Sequence, residues 1–95
     1  MIRGVTLVVP AALRDLNGGR SSVDLGSEIG TVAEALDRLH ERAPGVYHRV
    51  MTEVGEVRPH VNVFVGRDDI RWIRGLETPV PEGGELYVLP AVSGG

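Results

Sequence analysis

The two most continuously apolar runs of this chain stand at its opposite ends, and any fold it adopts must bury both. Val5-Thr6-Leu7-Val8-Val9 is β-branched and nearly all apolar, and Leu86-Tyr87-Val88-Leu89 is an unbroken apolar and aromatic run. Short runs of this kind suit strands buried on both faces, because a half-exposed strand would alternate apolar with polar. Pro10 and Pro90 follow them, and each removes a backbone donor, so pairing is expected to stop there. The first strand is therefore expected over residues 2–9 and the last over 85–90. Between them lies an amphipathic helix, expected over 31–43. Thr31-Val32-Ala33-Glu34 matches a capping box, and Val32, Ala35, Leu36, Leu39 and Ala43 form one apolar stripe. Glu34 and Arg38 stand at i, i+4 for a favourable pair, and Pro44-Gly45 ends the helix.

The remaining segments fill in a layered arrangement. Arg20–Leu25 alternates, with Val23 and Leu25 on one face and Ser22 and Asp24 on the other, as a half-exposed strand does. It pairs with the first strand as an antiparallel hairpin through a connector, Ala11–Gly19, that ends in the turn signal Asn17-Gly18-Gly19. Residues 46–51 read as one further helical turn and 52–59 as a polar loop. His60–Val65 reads as a third strand with Val61, Val63 and Val65 on one face. Gly66-Arg67-Asp68-Asp69 reads as a turn, Ile70–Ile73 as a short fourth strand around Trp72, and Arg74–Gly84 as a loop. One helix on a mixed sheet is an α+β layer architecture. The two most apolar strands pair at its centre, which makes them parallel and turns the helix into a right-handed crossover. This order is the β-grasp topology of ubiquitin: a five-stranded mixed sheet, one main helix, a folded domain over 1–90 and a tail over 91–95.

Composition excludes several kinds of chemistry. Ninety-five residues make one domain with one core. There is no cysteine, hence no disulfide, iron–sulfur ligation, thiolate zinc site or persulfide on the chain's own side chains. That suits a cytoplasmic protein. No run of apolar residues is long enough to span a membrane, and Met1-Ile2-Arg3-Gly4 has no signal-peptide pattern. A net charge of −3 argues against nucleic acid as a partner. All ten basic residues are arginine, so no side-chain amine is available for isopeptide or Schiff-base chemistry. His40, His48 and His60 lack metal-ligand spacing, Asp68-Asp69 suits a turn, and Glu53 and Glu56 suit a solvated loop. Ser21, Ser22 and Ser93 lie in no nucleophile motif, Gly83-Gly84 opens no helix, and Trp72 reads as a core or edge aromatic. No catalytic residue, bound cofactor or metal site is expected.

What remains is the end of the chain. After Pro90 come Ala91-Val92-Ser93-Gly94-Gly95, uncharged and small, with a reach of about 17 Å when extended. Two terminal glycines would let a carboxylate pass a narrow channel and approach a reactive centre. Taken alone the segment reads more readily as a frayed end. The absence of any other reactive set makes the Gly95 carboxylate the candidate for chemistry.

Val61-Asn62-Val63-Phe64-Val65, Asp69-Ile70-Arg71 and the stretch from Gly83 to Gly95 resemble the ubiquitin-like sulfur carriers of the MoaD/ThiS class, in particular those of the CysO type. The resemblance covers essentially the whole chain. The MoaD pattern commonly has Gly-Asp-Glu before the last strand and Pro-Pro-Val before the terminal small residues. Here Gly84 stands for the Asp and Ala91 for the second Pro, which argues against a dedicated molybdopterin synthase subunit. The resemblance implies a carrier rather than an enzyme. An ATP- and Mg²⁺-using, E1-like adenylyltransferase of the MoeB/ThiF type would adenylate Gly95. A sulfur donor would then leave a thiocarboxylate for a sulfur-accepting biosynthetic enzyme, with Gly94 supplying clearance. The carrier would be monomeric when free. Partners would meet Ser93, Val92, Ala91 and the sheet near the tail: Pro90, Val88 and Leu86 on the last strand, or Phe64 and Tyr87 beside them. The same adenylate would equally serve a ubiquitin-like modifier joined through Gly95 to lysines of other proteins, and the same tail would serve the small subunit of molybdopterin synthase.

Overall fold

The computed structural model describes residues 3–90. Its sheet comprises β1 (Val5–Val8), β2 (Ser22–Gly26), β3 (Val61–Val65), β4 (Asp68–Asp69) and β5 (Glu85–Pro90), in the order β2-β1-β5-β3-β4. The terminal apolar runs meet at the centre: β1 and β5 are parallel neighbours, with Leu7 beside Leu86 and Val8 beside Tyr87. The other three contacts are antiparallel. Helix α1 (Val32–Arg42) brings its stripe of Val32, Ala35, Leu36 and Leu39 into the core. There it joins Leu7, Leu25, Val63, Leu86 and Val88, all essentially inaccessible to solvent. This is the expected β-grasp sheet.

The capping box of α1 forms in full. Thr31 Oγ1 accepts from the Glu34 amide at 3.3 Å, and Glu34 Oε1 accepts from the Thr31 amide at 3.0 Å and the Gly30 amide at 2.9 Å. With its carboxylate committed there, Glu34 does not make the expected pair with Arg38. Arg38 instead donates to the Leu25 carbonyl at 2.8 Å, and Arg42 to the Asp24 carbonyl at 2.7 Å, so both arginines tie α1 to β2.

Other expectations need correction. Neither central strand is buried on both faces. Burial alternates along each, and Leu89 is 49% exposed, because the helices cover only one side of the sheet. The expected connector winds into a 3-10 turn, Ala11–Asn17, that buries Leu13 and closes at Gly18 with φ of 62°. There the Asn17 amide donates to the Arg20 and Ser22 carbonyls, so β2 starts only at Ser22. Pro44 does more than end α1. It sits in the first turn of a second helix, α2 (Pro44–Val50), where its missing amide costs nothing. The expected fourth strand over Ile70–Ile73 is a 3-10 turn, Ile70–Trp72, and the strand is Asp68–Asp69. The Asp69 carboxylate accepts from the Arg71 amide at 2.9 Å and bends the chain out of the sheet before Ile70. Trp72 is consequently 83% exposed, neither core nor sheltered edge. A further short 3-10 turn, Gly75–Glu77, interrupts the expected loop. Among the described residues no helix is long and apolar enough to cross a membrane.

Candidate functional site on the open face of the sheet

Alternation sorts the candidate residues of β5. Leu86 and Val88 point into the core, with 0% and 1% exposure, and this corrects their candidacy as docking residues. A partner could reach them only by unfolding the domain. The uncovered side carries Tyr87 and Leu89 instead, and the β3 register sets Phe64 beside Tyr87 and Asn62 beside Leu89. Leu89 was missed by sequence reasoning. Once Leu86 and Val88 are assigned inward, the period of two places it outward.

Phe64, Tyr87 and Leu89 line a broad concavity of about 700 Å³, floored at one end by Gly66, Gly83 and Gly84. The glycines matter here. Gly83 has φ of 75°, and a Cβ on Gly84 would lie 2.8 Å from the Pro81 carbonyl oxygen. The acidic residue usual at position 84 in the MoaD pattern would collide with this turn. Two polar clamps frame the apolar centre. The Tyr87 hydroxyl donates to Glu85 Oε1 at 3.0 Å, which, together with the carboxylate's charge, raises the phenol's pKa above its ordinary value. Arg71 grips both Asp69 oxygens, at 3.3 and 2.9 Å, and also donates to the Asn62 side chain at 2.6 Å. The side-chain hydrogen bond between Arg71 and Asp69 holds the Asp69 carboxyl below the usual carboxylate range and raises Arg71 in turn.

Pro90 is the last residue of β5, as expected, partly exposed and opposite Val61 at the start of β3. The domain therefore hands the chain on at the end of its central strand. Ala91, Val92, Ser93, Gly94 and Gly95 lie outside the described residues. His40 and His48, apart in sequence, do meet: His40 stacks on Tyr47 at 4.1 Å and His48 sits edge-on at 5.2 Å. Among the described residues no group of three or more His, Asp or Glu side chains is placed to hold a metal ion. The open face offers apolar contact framed by fixed charges. It is suited to recognition, with a chain terminus delivered from its edge.

The family model described as the ThiS family matches residues 7–95. The chain belongs to the ThiS family. The match begins within β1, takes in all of β5 and runs through Gly95. The sulfur carrier protein CysO of Mycobacterium tuberculosis is 32% identical over 93 residues, covering 96% of this chain and 98% of that protein. Small archaeal modifier protein 3 of Haloferax volcanii is 32% identical over 85 residues, covering 90% and 91%. Among solved structures, a chain of the Amycolatopsis orientalis BexX/CysO complex superposes with a TM-score of 0.82 at 37% identity, covering 96% of this chain and 99% of that one. These ThiS-family relatives are small ubiquitin-like carriers and modifiers rather than enzymes.

Proposed function

We propose that this ThiS-family chain is a sulfur carrier whose working group is the Gly95 carboxylate. The observation that carries the reading is the family match, which extends unbroken from the sheet to the terminal glycines. A carboxylate is a poor electrophile. An ATP-dependent, E1-like adenylyltransferase of the MoeB/ThiF type, using Mg²⁺, would join it to AMP with release of pyrophosphate, giving a mixed anhydride with a good leaving group. A sulfide-equivalent donor would then displace AMP and leave a thiocarboxylate. The partner enzyme supplies the charge stabilisation around the phosphates. The carrier supplies the acyl group and a surface to hold it by: Phe64, Tyr87 and Leu89, with Pro90 where the chain leaves the sheet. A biosynthetic enzyme in the cytoplasm would accept the sulfur, and the likeness to a chain from a BexX/CysO complex supports such a partnership.

The direct test is intact-mass analysis after incubation with ATP, Mg²⁺, a MoeB/ThiF-type enzyme and sulfide. The expected product carries one sulfur in place of one oxygen, located on Gly95 by fragmentation. No exchange across a panel of such enzymes would overturn the reading. The likeness to a small archaeal modifier protein supports a second fate for the same adenylate, conjugation of Gly95 to lysines of other proteins. Higher-mass adducts in cells, joined through Gly95, would establish it.

A further inference from the structure

The register between β3 and β5 is antiparallel, and its last pair is Val61 with Pro90. The segment that enters β3, Arg58-Pro59-His60, therefore adjoins the point at which the chain leaves β5. Around that point lies a second hollow, of about 330 Å³, walled by Pro90, Val61 and Leu13 and by the cationic or N–H-bearing side chains of Arg49, Arg58 and His60. Among the described residues no carboxylate lines it. It contrasts with the hollow near Arg3, where Glu28, Glu34 and Glu82 dominate.

One member of this basic wall, Arg58, is held in place. Arg58 Nε donates to the His48 carbonyl at 3.0 Å, and the Arg58 amide donates to the Val50 carbonyl at 2.9 Å. Both acceptors belong to the end of α2, so this arginine is fixed to the same helix that presents Arg49. Among the described residues its terminal guanidinium nitrogens make no hydrogen bond. Among the described residues the salt bridge Arg71–Asp69 is the sole ion pair, and neither Arg49 nor Arg58 takes part in one.

We propose that this hollow is a cradle for the chain's own terminal carboxylate, occupied when no partner holds the tail. Three observations select this occupant. Pro90 is itself part of the wall, so the segment starts at the site. Five residues follow it, enough for about 17 Å of extended chain. The segment carries no charge except its terminal carboxylate, which matches a wall of two guanidinium groups and an imidazole without a competing acid. Arginine suits the task because its planar fork meets both carboxylate oxygens. The hollow shares no lining residue with the concavity of the open face, so the two are distinct. It holds for the free chain whatever chemistry the carboxylate later undergoes.

The test compares the full-length chain with its C-terminal amide, made by cleaving an intein fusion with ammonia, and needs no partner enzyme. In nuclear magnetic resonance spectra the side-chain signals of Arg49, Arg58 and His60 are expected to shift between the two forms. Those of Phe64, Tyr87 and Leu89 should stay unchanged, and the difference should vanish in molar salt. In the variant Arg49→Gln/Arg58→Gln, the labelled Gly95 carboxyl carbon should move to its position in the free peptide Ala-Val-Ser-Gly-Gly. Identical spectra of acid and amide forms would overturn the proposal. So would shifts on the open face instead, or shifts that grow with protein concentration, which would mean a second copy's tail. Should the double variant fail to fold, the acid–amide comparison on the unmodified chain still decides.

Discussion

Tyr87 and Asp69 show how single residues of the open face are tuned. The Tyr87 phenol donates to Glu85, so the protonated phenol is the favoured form and its folded pKa lies above the ordinary one. A raised folded pKa contributes stability that is complete below the ordinary tyrosine pKa and is lost as pH rises through the folded value. Glu85→Gln is expected to lower the Tyr87 pKa toward that of a free phenol. Ultraviolet titration of the tyrosinate band, with Tyr47→Phe as the assignment control, checks this. An unchanged Tyr87 midpoint would mean that Glu85 does not set it. Asp69 carries the opposite sign. Its folded pKa is depressed by Arg71, so its contribution is complete above the ordinary aspartate pKa and fades as pH falls through the folded one. The bend that expels Ile70–Trp72 from the sheet hangs on that ionised carboxylate. Asp69→Asn is therefore expected to remove the acid-side dependence of Trp72 fluorescence.

At the scale of elements, β5 is one strand with two occupations, and substitution on alternate residues should separate them. Leu86→Ala removes a side chain with no exposure from the core and is expected to cost about 2–5 kcal/mol. Leu89→Ser changes a half-exposed surface residue and is expected to stay within about 0.5 kcal/mol, while weakening any contact made through the open face. Paired thermal melts give the first comparison and binding to an adenylyltransferase the second. Equal losses of stability would show that the open face is structural. The limits of β5 were legible because punctuation brackets them: Gly83-Gly84 at one end, Pro90 at the other. α1 was legible because its capping box and its apolar stripe agree. β4 was not, because Ile70-Arg71-Trp72-Ile73 has strand-like residues and the local hydrogen bond donated by the Arg71 amide to the Asp69 carboxylate caps a 3-10 turn there. Ala11–Asn17 is too short and too aperiodic to announce a turn of helix. The docking face was illegible for a different reason. Which side of β5 is covered depends on where α1 packs, and α1 lies more than forty positions away in the chain. The basic hollow escaped similarly, since Arg58 meets the helix of Arg49 through hydrogen bonds to α2, and Pro90 arrives only through the β3–β5 register.

For the whole molecule, the division of labour between domain and tail is itself testable. The described core is assembled between Val5 and Val88, so the fold has its apolar support before the chain reaches Pro90. Removing Gly95, or adding one residue after it, is thus expected to change unfolding free energy by no more than about 0.5 kcal/mol. Either change should nonetheless abolish thiocarboxylate formation, because it withdraws or displaces the one carboxyl group that adenylation would use. Calorimetry and intact-mass analysis on the same preparations read the two quantities. A large loss of stability would mean that the terminal segment is part of the fold. Composition sharpens what such an activated chain would then do. With no lysine and no cysteine, it has neither a side-chain amine nor a thiol to intercept its own acyl-adenylate. It should accumulate the thiocarboxylate cleanly in the presence of sulfide. Conjugates, if formed, should appear as discrete single additions on a target, because the chain carries no internal lysine on which a second copy could be joined. A ladder of polymers linked through side chains of this protein would contradict that chemistry.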